Sequence, residues 1–306
     1  MTIFLTGATG YTGGVVLEHL LRAGYEVTAL TRKPMPAQPG VRWIAGDFSE
    51  QSLIRRLADV ADATVHIGAS HDGAMEALDR LVITAVADAY RGTGRLFVTT
   101  SATPVYGDTG SAPRDEREPI VAPHPKRAWR ARHDRLVADL NGEKMRGVVI
   151  RPGHIYGRGG GLLADSIRRA RATGRALYIG TGRYPSSTVH VDALAELYLL
   201  VIKNAEARGI YNAVSDEIMC DADTAAVIAA LFGPGITAQS WPLDQARAEL
   251  GELADLVTMT CVAQATRARS ELGWLPNAPS LLSDLVGGSY RTAPLAAYHF
   301  TEQTAK

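Results

Sequence analysis

Thr2-Ile3-Phe4-Leu5-Thr6-Gly7-Ala8-Thr9-Gly10-Tyr11-Thr12-Gly13 is the stretch whose reading decides the fold. Five β-rich residues run into glycines at positions 7, 10 and 13, and a helical pattern begins at once. Glycines at i, i+3 and i+6 permit a tight turn, a close backbone approach to a pyrophosphate, and close helix–strand packing. The helix N-terminus then offers unpaired N–H groups to the phosphates. Strand, glycines and helix stand in the order a dinucleotide site needs, so Gly7, Thr9, Gly10, Tyr11 and Thr12 are expected to hold one.

Outward from that turn, short apolar runs alternate with helix-period segments. Strands are expected at Thr2–Thr6, Glu26–Thr31, Val41–Ala45, Ala63–Ile67, Leu96–Thr100 and Gly147–Arg151. Between them, Val15–Arg22, Gln51–Ala58, Ala74–Tyr90 and Lys126–Leu140 carry apolar residues at i, i+3, i+4. That rhythm predicts an α/β protein with a doubly wound parallel sheet covered on both faces. After residue 155 the rhythm loosens. Helices at Asp192–Lys203 and Asp223–Leu231 and a strand at Ile210–Val214 suggest a smaller, mostly helical lobe with some returns to the sheet. The expected division is a dinucleotide-binding domain over 1–155 and a mainly substrate-binding lobe over 156–306. Pro34–Gly40, Gly107–Pro125 and Gly157–Gly161 read as loops.

Composition narrows the partners. The 306 residues are 46% hydrophobic, and 32 Lys and Arg balance 32 Asp and Glu. No global field draws the chain to nucleic acid or to a membrane surface. No apolar run approaches the roughly 20 residues of a membrane span. Met1 leads straight into a strand without a basic or apolar leader, so a soluble, cytoplasmic protein is expected. Cys220 and Cys261 fit neither a metal spacing nor a disulfide framework and read as inert thiols; no metal is expected.

The end of the second strand bears on the cofactor. An acidic residue there would bond both ribose hydroxyls of NAD, whereas a 2′-phosphate needs cations. The chain reads Leu30-Thr31-Arg32-Lys33. Arg32 offers a planar fork and Lys33 a second charge, so NADPH is the expected cofactor, unless the pair is simply solvated.

Further markers follow: Gly46-Asp47, Ile67-Gly68-Ala69, Ser101…Val105-Tyr106-Gly107, Arg151-Pro152-Gly153…Tyr156-Gly157, His190-Val191-Asp192 and Glu271-Leu272-Gly273-Trp274. With the opening glycines, and over roughly residues 2–290, the chain resembles the extended short-chain dehydrogenases/reductases, a Rossmann-fold group. The resemblance implies that Asp47 and Phe48 flank the adenine and that Gly68, Ala69 and Ser70 line the cofactor. It also implies that Pro152, Gly153, His154 and Ile155 pack beside the nicotinamide carboxamide. The family's apparatus is a Ser or Thr after the fifth strand and a Tyr-x-x-x-Lys on the next helix. Here that helix reads Lys126-Arg-Ala-Trp-Arg130-Ala-Arg-His-Asp134, which sets Lys126 at the Tyr position and Arg130 at the Lys position. The proton donor is missing. The Ser position falls on Ser101 or Ala102, with Thr103 as an alternate hydroxyl. Among members lacking the Tyr and Lys, the chain most resembles angucyclinone ketoreductases of simocyclinone-type antibiotic pathways.

The candidate catalytic residues are therefore Ser101 and Arg130, both as orienting groups. A guanidinium keeps its proton and cannot act as an acid, but Arg130 can bond the ribose hydroxyls or steady an oxyanion. Lys126, Arg127, Arg132 and Arg135 read as a charged outer face. His133 reads as a surface histidine or a proton shuttle, and Tyr106 as a packing residue. His190 and Asp192 read as architectural, with Asp192 capping a helix. Arg168, Arg169 and Arg171 face water or an anionic substrate. Trp129, Trp241 and Trp274 read as core or rim aromatics, Trp241 being the one placed where substrate contacts arise. The expected function is an NADPH-dependent ketoreductase of a bulky aromatic ketone; the oligomeric state is open. A catalytically silent NADP(H)-binding regulator and a nucleotide-sugar epimerase or dehydratase are the alternatives.

Overall fold

The computed structural model describes residues 1–69, 74–120, 123–292 and 294–295. Its strands are β1 (Thr2–Thr6), β2 (Glu26–Thr31), β3 (Val41–Ala45), β4 (Ala63–His66), β5 (Leu96–Thr100), β6 (Arg146–Pro152), β7 (His154–Tyr156), β8 (Arg175–Ile179), β9 (Ser186–His190), β10 (Gly209–Ala213), β11 (Ile218–Met219) and β12 (Thr237–Trp241). The helices are α1 (Tyr11–Arg22), α2 (Gln51–Asp59), α3 (Met75–Tyr90), α4 (Ala128–Asp139), α5 (Gly161–Thr173), α6 (Val191–Lys203), α7 (Asp221–Leu231), α8 (Leu243–Leu250), α9 (Glu252–Val257), α10 (Thr266–Leu272), α11 (Leu281–Gly287) and α12 (Ser289–Thr292).

Seven strands form one parallel sheet in the order β10-β6-β5-β4-β1-β2-β3. The strand order reverses between β1 and β4, and the crevice at their carboxyl ends is where such sheets bind ligands. Alternation along each strand feeds two separate cores. Ile3, Leu5, Leu96 and Val98 face α1 and α6, packing with Val16, Leu20, Leu194 and Tyr198. Phe4 and Phe97 point the other way, into Ile54, Val82, Val86 and Val137 of α2, α3 and α4. Helices cover both faces, and the central strands are mostly apolar on both sides, while the edge strand β3 is half-exposed.

The second half both completes the sheet and builds the lobe. β10 pairs with β6 from Gly209 against Val148 to Ala213 against Pro152. The lobe has its own core, with Leu163, Ile167, Ile228, Leu285 and Tyr290. Its helices are accompanied by two small sheets, β11-β9-β7 and β12-β8, which the sequence rhythm does not predict. Among the described residues, no helix is long and apolar enough to cross a membrane.

Candidate functional site

The turn after β1 is built on contacts that only glycine allows. Gly7 has φ +76°, and a Cβ there would lie 2.6 Å from the backbone nitrogen of Gly68. A Cβ on Gly13 would lie 2.0 Å from the Gly7 carbonyl oxygen, so α1 meets the turn at backbone contact. Gly10 caps α1 without a side-chain hydrogen bond, and Thr9 beside it is exposed. The first N–H groups of the helix have no side-chain cap, the arrangement that suits an anion such as a pyrophosphate. Gly68 in turn rests on Phe48, whose ring would lie 2.1 Å from a Cβ on Gly68. Ala69 is exposed next to it, and Ser70 lies outside the described residues. This cradle, which any added Cβ would fill, fits a dinucleotide.

Tyr11 is placed differently from a free cofactor contact. Its hydroxyl donates to the Gly157 carbonyl at 2.7 Å, and its ring fills the space where Gly160 lacks a side chain. Tyr11 thus ties the nucleotide turn to the Gly157–Gly161 loop, while Thr12 is half-buried behind it. The same loop is held from the other side by Tyr290, whose hydroxyl accepts from Gly157 N–H and donates to the Gly160 carbonyl, both at 2.8 Å.

At the end of β2, Thr31 turns back on itself through a 2.8 Å bond from its hydroxyl to the Lys33 carbonyl. Arg32 and Lys33 stand exposed beyond it. Across from them, Asp47 lies below the usual carboxylate range, because the Ser49 hydroxyl and N–H both donate to it and the Arg32 charge adds to them.

The corner after β5 departs from the family's arrangement. Ser101 is buried, and its hydroxyl donates to Asp134 Oδ2 at 2.9 Å. The same oxygen accepts from Arg151 Nε at 2.7 Å, in an ion pair whose two side chains are only 2% and 3% exposed. Arg151 also donates to the Tyr106 hydroxyl at 3.0 Å, which donates onward to Asn212 Oδ1 at 3.0 Å. Burial, against the pull of Arg151, raises the Tyr106 pKa, which makes this phenol a poorer acid. The Ser101 proton is thus directed to a buried carboxylate. Thr103, the alternate, is buried beside the Cys261 thiol, which burial pushes up to about 11. Lys126 is exposed on a 3₁₀ turn, Pro125–Arg127, so it does not share a helical face with Arg130. Arg130 is buried in the first turn of α4, stacked on Trp129 at 4.6 Å and donating to the Thr100 carbonyl at 2.9 Å.

His133 is not a surface residue. It is buried, and its Nδ1 lies 2.6 Å from Asp79 Oδ2, while Asp79 Oδ1 lies 3.0 Å from His66 Nε2. Neither Asp79 nor His66 stands out in the sequence. The signal there is an acid within the apolar stripe of α3 and a histidine inside an otherwise apolar strand, since such groups are buried only with partners.

The turn after β6 places Gly153 N–H 3.1 Å from the Ala213 carbonyl, with Pro152 buried before it and Ile155 half-buried after it. His154 Nε2 is buried without a hydrogen-bond partner among the described residues, and burial pushes the ring pKa down to about 4. Ser187 and Val214, which crowd Gly153, open onto a cavity of about 580 Å³ that Val262, Gln264 and Arg269 also line. Arg269 Nη2 donates to Asp216 at 2.7 Å, and its Nε is buried without a partner among the described residues.

In the second half one expectation is corrected, and two open readings are filled in. His190, not Asp192, caps α6, its ring accepting from Asp192 N–H at 3.2 Å. The Asp192 carboxylate instead binds Arg158 and His19, and Arg158 also binds Glu18 of α1. Trp241 is buried with Ile179, Ala246 and Ala254, with Arg169 stacked on it at 4.7 Å, so it belongs to the lobe's packing. Arg168 pairs with Asp165 and Arg169 with Glu249, while Arg171 lies over Phe232.

The chain is similar to several known proteins. It is 29% identical over 231 residues to a Stigmatella aurantiaca 4-hydroxy-2-methyl-3-oxo-4-farnesyl-3,4-dihydroquinoline-1-oxide ketoreductase, covering 69% of this chain and 67% of that one. It is 26% identical over 297 residues to an uncharacterized Saccharomyces cerevisiae protein, covering 93% and 98% of the two. Its fold matches the Thermus thermophilus UDP-glucose 4-epimerase solved with NAD at a TM-score of 0.77 and 20% identity, covering 96% of this chain and all (100%) of the other. Residues 3–213 match the profile of the NAD dependent epimerase/dehydratase family, and the chain belongs to that family.

Proposed function

We propose that the protein is an NADPH-dependent ketoreductase acting on a bulky, aromatic polyketide-type ketone. The observation that carries this reading is an intact dinucleotide cradle beside a corner with no phenol, among the described residues, free to donate or accept a proton: Lys126 is exposed on a turn and Tyr106 is locked to Arg151. Reversible oxidation of a sugar hydroxyl needs a base at that position, so the geometry disfavours epimerisation. Reduction is less demanding, because orientation alone contributes up to roughly 7–11 kcal/mol. When bound, the dinucleotide supplies the hydride. Gly7, Gly10, Gly13 and Gly68 would hold its phosphates, Phe48 its adenine side, and Arg32 with Lys33 a 2′-phosphate. Arg130, fixed to the end of β5, is placed to bond the ribose or the carbonyl oxygen. The cavity beyond Gly153 lies in the size range of small-molecule sites, and its mixed apolar and hydroxyl-bearing walls suit a planar, oxygen-rich body. A phenol next to the carbonyl would supply the proton the corner lacks. The similarity to a ketoreductase supports the same reading.

The test follows nicotinamide absorbance with polycyclic hydroxyketones, sugar nucleotides and no substrate. Hydroxyketones should be reduced and lose rate sharply when the neighbouring phenol is methylated. Arg32→Ala should raise KM for NADPH at least about tenfold and leave NADH nearly unchanged, the loss of a charged bidentate contact. Equal wild-type kinetics with both dinucleotides would refute the NADPH preference. Binding without turnover of any ketone would favour a silent regulator.

A further inference from the structure

We propose that His66, Asp79 and His133 form a positioning relay that locks the cofactor cradle to α4. The proposal rests on the reading of the glycine turn as a dinucleotide site. Its basis is a continuous line of hydrogen bonds through four elements. Gly68 N–H, in the cradle, lies 3.3 Å from Thr6 Oγ1 at the end of β1. Thr6 Oγ1 lies 2.6 Å from His66 Nδ1 at the end of β4. His66 Nε2 reaches Asp79 Oδ1 on α3 at 3.0 Å, and Asp79 Oδ2 reaches His133 Nδ1 on α4 at 2.6 Å.

A backbone N–H can only donate, so Thr6 Oγ1 accepts from Gly68. An ionised carboxylate can only accept, so His66 donates to Asp79 from Nε2, and Thr6 Oγ1 meets His66 Nδ1 either as donor to the neutral ring or as a second acceptor from the charged one. His133 donates from Nδ1 to the other carboxylate oxygen. The carboxylate accepts twice and stays ionised although buried, and the nearby Arg130 guanidinium adds to its stabilisation. Phe48 stands edge-on to the His66 ring at 5.4 Å and holds it in place from the cradle side. A largely buried chain of hydrogen bonds of this kind is directional and stiff, and each bond polarises the next. Its outer end is one turn from Arg130 on α4, and its inner end is the backbone nitrogen against which Gly7 packs. The depth of the cradle and the reach of Arg130 are therefore set together.

The experiment measures NADP⁺ and NAD⁺ affinity by calorimetry for the whole chain and its variants, alongside proton NMR of the imidazole N–H groups and the Gly68 amide. His133→Leu removes the donor to Asp79 and should weaken the preferred dinucleotide at least about tenfold, the scale of leaving a buried charge one partner short. His133→Asn keeps an N–H in the Nδ1 position and should recover most of the affinity. Val137→Ala, on the same helix but outside the relay, should lower thermal stability and leave affinity unchanged. Thr6→Val against Thr6→Ser gives the same comparison at the inner end if His133→Leu does not fold. Two far-downfield ring N–H signals should shift on adding dinucleotide, and the Gly68 amide should move in His133→Leu. If Val137→Ala and His133→Leu weaken binding equally, or the Gly68 amide ignores His133, the relay is overturned. A wild-type protein that binds neither dinucleotide overturns the site reading, and the positioning role with it.

Discussion

The two ends of the site are built from different materials. The β1–β4 end is built from backbone: Gly7, Gly13 and Gly68 make a cradle by having no side chains, and under the proposed function N–H groups would do the binding. At the β5–α4 end, function in relatives is carried by side chains, and here those positions hold Ser101, Lys126 and Arg130. Two of the three are tied to the protein itself, Ser101 by its hydroxyl proton to Asp134 and Arg130 by one of its five N–H donors to the Thr100 carbonyl. A backbone site tolerates almost no substitution and so stays readable. A side-chain site can be rebuilt into an ion-paired strut without disturbing the sheet beneath it.

The sharpest way to break this comparison is to substitute the strut. Asp134→Ala strands the Arg151 guanidinium in the core, and unfolding in urea should show a loss of about 3–5 kcal/mol with little change in slope. A loss below about 1 kcal/mol would mean that the corner adapts and is not a strut. At the other end the damage should fall on binding. Gly7→Ala places a methyl 2.6 Å from Gly68 at a φ of +76°, and dinucleotide affinity should drop at least about a hundredfold, some 2.7 kcal/mol. Retained affinity in a folded Gly7→Ala protein would refute the cradle.

The smallest effect concerns His154, which stands between the two ends. Its folded pKa of about 4 lies below the ordinary 6.5, so the unfolded chain takes up the proton first. Stability should be full above pH 6.5 and drain by on the order of 2 kcal/mol as the pH falls to about 4. His154→Gln should flatten that part of the profile. A wild-type profile already flat between those pH values would show that the ring finds a partner when protonated.

Much of the architecture is legible in the order of the residues. The alternation Ile3-Phe4-Leu5 splits a strand between two cores, and the same pattern at Leu96-Phe97-Val98 places a second strand in the same sheet. The glycine spacing at 7, 10 and 13 encodes a contact distance directly, because a missing Cβ is a local fact. Thr31-Arg32-Lys33 marks a charge at the end of a strand for the same reason. The partners of polar groups are not legible in this way. His133 reads as exposed because its neighbours Arg132 and Asp134 are charged, yet it faces inward to Asp79, 54 residues earlier in the chain. Asp192 reads as a cap and instead joins α6 to α1 through Arg158. Trp241 reads as a core or rim aromatic in the half where substrate contacts arise, and only the fold shows that it packs a small sheet. Periodicity reports which face of an element is buried, because the unfavourable exposure of apolar groups acts residue by residue. It carries no record of which distant acid will meet which base. That is decided only when the helices close over the sheet, where burying a charge forces it to find a partner.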